Sequence, residues 1–486
     1  MGNSTVSDAR NITLVMDFYE LTMSYDYFKQ GKKDEIAYFD MFYRKNPDNG
    51  GYVIMAGLQQ LIEAIKDMHF SKGDIDYLRT LNMFDEEFLS YLADFKFDGT
   101  IWAVPEGTPV FPYEPLVTVK GKLIEAQLLE TFLLVTINHQ SLIATKTHRI
   151  VQEAKGRPVM EFGARRAQGY DGATYGARAA YIGGASGTAT VSAGKAFGIP
   201  VLGTMAHSFV QSFDTEYDAF KAYAEIYPDS CILLVDTYDT LKSGIPNAIR
   251  VAEEVLQPMG KTLAGIRIDS GDIAYLTKKA RMMLDVVGLT DTKISISNSL
   301  DEYLIRSVLE QGARIDSFGV GENMITSKSS PVFGGVYKMV AIEKDGQVIP
   351  KIKISDNVEK VTNPGMKNLN RIMDKETGMA IADLLTLEDE VIDTTQDLTI
   401  YHPMSRWKYK VIPANTYTVR DMLVPIFKDG KLVYDLPSLE EIRAYSEKEL
   451  ATIWDEIKRF VYPQEYYVDL SEKLLNLKLE MLKKYK

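Results

Sequence analysis

A chain of 486 residues is longer than one ordinary core supports, because single cores stop growing at roughly 250–300 residues, so two or three domains are expected. With 45% hydrophobic and 25% charged residues the composition is globular, and no apolar run approaches the ~20 residues that a bilayer span needs. A formal net charge of -12 argues against a nucleic-acid surface but leaves room for a few cations focused in a cleft to hold a small anion.

The amino terminus has no basic segment followed by a continuous apolar core, and Val6 stands where a myristoylation motif needs Ser or Thr. Export and lipid anchoring are therefore disfavoured. The single cysteine, Cys231, lies in the apolar run CILLV and reads as a core residue with no internal disulfide partner. A cytoplasmic protein is expected, with neither membrane nor nucleic acid as partner.

Residues 1–140 read as an α+β domain. AYFDMFYRK and TIWAVPEGTPVFPYEPLVTVKG look like strands punctuated by Pro and Gly, and AGLQQLIEAIKDM and KLIEAQLLETFLLVTINHQ look helical. From about 141 to 343 the pattern changes to short apolar runs alternating with helix candidates. The runs are PVMEFGARR, YIGGASG, IPVLGTMAHS, CILLVDTYD, LAGIRIDSGD, KISISNSLDE and IDSFGVGEN; DAFKAYAEIY, IPNAIRVAEEVLQ, IAYLTKKARMMLDVV and DEYLIRSVLEQ carry apolar residues at three- and four-residue spacing. Seven or eight such units favour a parallel sheet closed into a (β/α) barrel, with an open doubly wound sheet as the rival. After Lys344, to residue 486, the chain reads as more polar and irregular, ending in the charged helical stretch LSEKLLNLKLEMLKKYK.

The unusual residues fall at the carboxyl ends of these apolar runs, the end where barrel enzymes build their sites. Arg165, Arg166 and Arg267 are planar, permanently charged donors suited to phosphate or carboxylate, or else to salt bridges in the barrel mouth. Asp236, Asp239, Asp269 and Asp272 could hold a divalent ion, favour a developing cation, or cap helices; Asp272, just before IAYLTKK, looks mainly like a cap. Ser297, Asn298 and Ser299, followed by Gly319 and Gly321, suit the phosphate site often built by the last two strands of a barrel. Gly183, Gly184 and Gly187 are either an anion-holding turn or a tightly packed one. Gly260, Lys261 and Thr262 resemble the end of a P-loop, but Val255 occupies the place of its first glycine.

His207, one of five histidines, follows IPVLG among small and apolar residues. An imidazole there is either tied into a hydrogen-bonded core or placed for chemistry. Polar groups at every neighbouring strand end favour chemistry, and no zinc spacing such as HExxH is present. His69, His139, His148 and His402 have no comparable setting.

The run EFGARRAQGYDGATYGARAAYIGGASGTATVSAGKAFGIPVLGTMAHSFVQSF resembles the nicotinate phosphoribosyltransferases, as do GIRIDSGD, ISNSLDE, FGVGEN, GGVYKMV, DFYELTMSY and FYRKNPDNGGY, in the family's order from about Asp17 to Lys367. The resemblance implies an irregular barrel of the type II phosphoribosyltransferase kind, with an amino-terminal α+β domain and a carboxy-terminal extension that partly packs back on it. It implies transfer of a phosphoribosyl group from phosphoribosyl pyrophosphate to nicotinate, with Mg²⁺, in NAD salvage. It also implies coupling to ATP hydrolysis through a phosphohistidine, by motif His207. Phe162 and Tyr19 resemble an aromatic pair around the pyridine ring, and Arg165, Thr204 and Arg267 resemble substrate contacts. Arg44, in FYRKNP, resembles a diphosphate contact. In the family arrangement Tyr19 and Arg44 reach into the barrel of a second subunit, which implies a homodimer. Asp236 and Asp269 are expected to favour the ribosyl cation or hold ribose hydroxyls, and Ser297, Asn298, Gly319 and Gly321 to serve phosphate.

Relatives that use nicotinamide carry an aspartate within the GGASGTATV segment, where this chain has Ala189, so nicotinate is the expected base. Many members have Thr where this chain has Glu322, after FGVG, and a carboxylate beside a phosphate is unfavourable unless it turns away or meets a cation. The alternatives are nicotinamide or quinolinate as the base on the same scaffold, or a non-catalytic nucleotide-binding regulator.

Overall fold

The computed structural model describes residues 11–485, apart from the Val358 side chain; Val6 lies outside the described residues. The chain divides into two compact units. One comprises Ile143–Pro331; the other combines the residues up to Leu142 with those from Val332 onward.

The Ile143–Pro331 unit is the barrel. Its parallel strands are Val159–Glu161, Gly187–Thr188, Ile232–Leu234, Gly265–Ile268, Lys293–Ile296 and Ser317–Val320. The first strand pairs with the second on one side and the last on the other, Gly319 opposite Met160 and Val320 opposite Glu161, so the strands run as a ring left open between Gly187–Thr188 and Ile232–Leu234. Ile266, Ile268, Ile294, Ile296, Phe318 and Val320 are buried, and short runs apolar on both faces suit strands with the core inside and helices outside. Among the described residues the sheet is irregular at one place. IPVLG contributes only a single bridge, Val201 to Thr188, rather than the predicted strand. YIGGASG also differs from expectation: Tyr181 and Ile182 end the helix Gly169–Ile182, and the strand shrinks to two residues.

The helices follow their strands as predicted at Glu216–Ile226, Ile273–Val286 and Glu302–Glu310. IPNAIRVAEEVLQ is α-helical only over Ile245–Val251, then widens to a π turn over Ala252–Leu256. Cys231 is buried, and burial pushes its thiol up to about 12, as suits an inert core residue.

The other unit holds two large antiparallel-rich sheets and a two-stranded one, Val53–Ile54 with Pro109–Val110. In the seven-stranded sheet Ile36–Tyr43 is flanked by Gly335–Lys344 and by the central strand, Val117–Lys122. Asp40 in this buried strand accepts a hydrogen bond from Thr118 Oγ1 at 2.8 Å and pairs with Lys367 Nζ at 2.8 Å, so neither carboxylate oxygen is left bare. The region after Lys344, read from sequence as irregular, instead supplies a six-stranded sheet that includes Lys367–Asp374, Ala380–Leu387 and Val468–Leu470. Arg371 and Asp383 face each other across it, fully buried, 2.6 Å apart. The helix read in KLIEAQLLETFLLVTINHQ splits into Leu123–Gln127 and Glu130–Glu153, the latter running past residue 140. No helix among the described residues is long and apolar enough to cross a membrane.

Candidate active site

The first barrel strand ends at Glu161, and its geometry sets the rim. The Glu161 carboxylate is buried and accepts hydrogen bonds from the Gly163 N–H, from Thr188 Oγ1 at 2.6 Å and from Thr190 Oγ1 at 3.3 Å. Burial pushes this carboxyl up while those donors hold it down. It thereby pins the start of EFGARR to the second strand end. Phe162 donates its N–H to Val320 O at 2.8 Å, and a Cβ on Gly319 would stand 2.5 Å from Phe162 Cδ2. Glycine at 319 is what lets the ring lie there. A 3-10 turn over Ala164–Arg166 leaves Arg165 and Arg166 exposed.

Across the rim, the Arg267 guanidinium donates to Thr204 Oγ1 and, at 3.2 Å, to Met205 O, while its Nε is buried without a hydrogen-bond partner. Burial presses Arg267 below its ordinary value against the pull of Asp269 and Asp236. One oxygen of Asp236 accepts from the Asp269 N–H at 2.9 Å and from Ser270 Oγ at 2.5 Å; the other is buried and unpartnered. Asp269 in turn accepts from Ser297 Oγ at 2.6 Å and lies 3.8 Å from His207 Nε2. His207 Nδ1 is 3.1 Å from Thr237 Oγ1. The imidazole therefore has a hydroxyl at one nitrogen and a carboxylate near the other, and it is partly exposed at the start of His207–Gln211.

A cavity of about 230 Å³ opens among these groups, lined by Phe162, Arg165, Arg267, Asp269, Ser297 and Gly319, with Asn298 and Gly321 also on its wall. Asp236, Thr204 and His207 do not line it but reach it through Asp269 and Arg267. Glu322 lines it too. Lys328 Nζ donates to Glu322 Oε1 at 2.7 Å and Arg166 Nε is 3.7 Å from Oε2; Lys328 first, then Arg166, hold this carboxyl below its usual range. The carboxylate thus meets cations.

Other sequence candidates have structural duties. Asp239 accepts from the Leu241 and Lys242 N–H groups, and Asp272 from Tyr275 N–H at 2.8 Å, both as helix caps. Gly183 ends Gly169–Ile182 with no room for a Cβ beside Ala144 O, Gly184 has φ +105°, and Gly187 packs on Pro200 O, which is the tight-turn reading. Tyr19 and Arg44 belong to the other unit. Tyr19 is exposed on Phe18–Lys29, its phenol pushed up by partial burial and by Glu130. The Arg44 guanidinium lies 5.5 Å from the Phe42 ring centre, with Nε buried and unpartnered. Sequence reasoning missed Glu161, Thr237 and Ser270; they adjoin Phe162, Asp236 and Asp269 in the chain, and that adjacency was the only signal. Among the described residues no group of three or more His, Cys, Asp or Glu could hold a metal ion.

An irregular barrel whose strand ends gather arginines, carboxylates, hydroxyls and glycines around one aromatic ring defines the class of barrel phosphoribosyltransferases. The comparisons narrow it. Residues 14–138 match the nicotinate phosphoribosyltransferase N-terminal domain, 158–386 the nicotinate phosphoribosyltransferase family and 366–478 its C-terminal domain. The chain is 44% identical over 476 residues to nicotinate phosphoribosyltransferase of Bacillus subtilis, covering 98% of this chain and 96% of that one. It is 31% identical to that of Homo sapiens, with 95% of each covered. The crystal structure of human nicotinic acid phosphoribosyltransferase superimposes with a TM-score of 0.82 at 28% identity, covering 96% of this chain and 100% of that one. The chain belongs to the nicotinate phosphoribosyltransferase family.

Proposed function

We propose that this protein transfers the phosphoribosyl group of phosphoribosyl pyrophosphate to nicotinate, giving nicotinate mononucleotide and pyrophosphate on the route to NAD. The observation that carries the reading is the rim cavity, where the Phe162 ring, Arg165 and Arg267 border one space with Asp269 and Ser297. The pyridine nitrogen brings its own lone pair, so its attack on ribose C1 needs no strong base. As the new C–N bond forms, the C1–O bond breaks and pyrophosphate leaves with the electron pair. The residues must hold the ring, receive the leaving group and tolerate positive charge at C1. Phe162 supports the ring, Arg267 and Arg165 attract anionic oxygens, and Asp269 with Asp236 stabilises the ribosyl cation. Ser297, Asn298, Gly319 and Gly321 take phosphate.

The residues fit Mg²⁺: Asp236 offers a buried unpartnered oxygen beside Asp269, and Mg²⁺ commonly uses one or two carboxylates with substrate phosphates and water. Asp236 and Asp269 would hold the ion, which when bound neutralises charge on the diphosphate. His207 serves as acceptor of the γ-phosphoryl group of ATP. An unprotonated ring nitrogen bonds to phosphorus, the bond to the β,γ-bridging oxygen breaks, and ADP leaves. Hydrolysis of the phosphohistidine completes the coupling, and the added charge beside Asp269 resets substrate affinity. Tyr19 and Arg44 complete the site of a partner subunit in a homodimer, and the protein works in the cytoplasm.

The test is pyrophosphate release on mixing the protein with nicotinate, phosphoribosyl pyrophosphate and Mg²⁺, run with and without γ-labelled ATP. The reading expects release that ATP stimulates, and label on His207. Thermal stabilisation by these ligands without turnover would replace it with a binding protein; turnover without label would remove only the phosphohistidine.

A further inference from the structure

A second cavity, of about 720 Å³, lies wholly within the unit that carries the antiparallel sheets. That volume is in the usual range for small-molecule sites, about 300–1,000 Å³. Its wall includes Lys478, on the helix Glu472–Lys484, whose side chain is only 3% exposed. Each hydrogen-bond acceptor that Lys478 Nζ meets is uncharged: Asn363 Oδ1 at 2.8 Å, Pro403 O at 3.4 Å and Met404 Sδ at 4.0 Å. The neighbouring Lys367 is already neutralised by Asp40. Burial, then the charge of Lys367, pushes the Lys478 amine down to about 8. A buried ammonium is costly unless an anion meets it.

A further donor borders the same space. His402 Nδ1 accepts the Met404 N–H at 3.1 Å, so the neutral ring carries its proton on Nε2. Apart from Arg44, already assigned to the site of a partner subunit, the cavity wall carries three cations, Lys45, Lys408 and Lys478, with the carboxyls of Glu359, Glu465 and Asp469. Phe111 and Tyr466, stacked with ring centres 3.8 Å apart, and Tyr113 form an aromatic wall.

We propose that this cavity is a second ligand site, for a nucleotide-sized phosphorylated metabolite whose phosphoryl group meets Lys478 and His402 and whose ring lies along the aromatic wall. A bare oxyanion would satisfy the ammonium but leave most of the volume and the aromatic wall unused.

The experiment is calorimetric titration of the full chain with AMP and, separately, with inorganic phosphate. AMP is expected to bind at least tenfold more tightly than phosphate, to weaken at least tenfold in Lys478→Met, and to change less than twofold in the rim variant Arg267→Ala. Nicotinate turnover by Lys478→Met should stay within twofold of the parent. Should that variant fail to fold, His402→Leu serves, with at least fivefold weaker AMP binding expected. Binding that survives in a folded Lys478 or His402 variant, or is lost in Arg267→Ala, overturns the proposal. So does equal affinity for AMP and phosphate, or no heat from either probe at millimolar concentration.

Discussion

Asp40 and Asp236 are both buried carboxylates, one within a strand and one just past a strand end, and their surroundings differ in kind. Asp40, in the seven-stranded sheet, has a hydroxyl on one oxygen and the Lys367 ammonium on the other. Asp236, at a barrel strand end, has both its donors on one oxygen and leaves the other buried and bare. An unpaired buried acceptor costs free energy, and at a barrel strand end beside a cavity a ligand can complete it. Arg267, with its Nε unpartnered, repeats this at the rim. The comparison teaches that burial alone does not mark a functional acid; an unfilled bonding position at a strand end does.

The largest effect that would sharpen this contrast is at His207. Changing it to Ala should abolish labelling from γ-labelled ATP and remove ATP stimulation while leaving some transfer; label retained by that variant would refute the assignment. Asp236→Asn should lower kcat by ~10²–10³ with little change in the urea midpoint, since no cation partner is lost. Asp40→Asn should do the reverse. It strands the Lys367 ammonium, costing about 3–5 kcal/mol in urea unfolding, with kcat per folded molecule preserved. If Asp40→Asn lost turnover and Asp236→Asn lost stability, the contrast would be broken. Gly319→Ala forces the Phe162 ring aside and should raise KM for nicotinate by roughly tenfold, read from initial rates. Glu322→Gln should shift KM for phosphoribosyl pyrophosphate by less than about twofold, because Lys328 and Arg166 already offset that charge at the exposed rim.

The barrel was legible because its strands are short and apolar on both faces and its helices carry a three-to-four periodicity. The sheet after Lys344 was not. Its strands mix faces, as in Lys367–Asp374, where Asn370 and Arg371 are buried, and such polar strands make sense only with the distant partners that satisfy them. IPVLG misled in the opposite way, as an apolar run that forms one bridge beside the irregular barrel edge. In the site, Phe162, Arg165, Arg267, Asp269, Ser297, Asn298, Gly319 and Gly321 were named from their places after apolar runs or from motifs, and the cavity gathers them. Glu161 escaped notice because its role rests on Thr188 and Thr190, on a neighbouring strand end. The Lys328 partner of Glu322 is six residues along the chain, beyond any motif that could announce it.

The most direct measurement of the central claim, that the barrel rim is a nicotinate site, is a side-by-side rate assay. Nicotinate, nicotinamide and quinolinate would each be supplied with phosphoribosyl pyrophosphate and Mg²⁺, with mononucleotide product quantified. The account predicts product from nicotinate at a rate far above the other two; product from nicotinamide or quinolinate with none from nicotinate would contradict it.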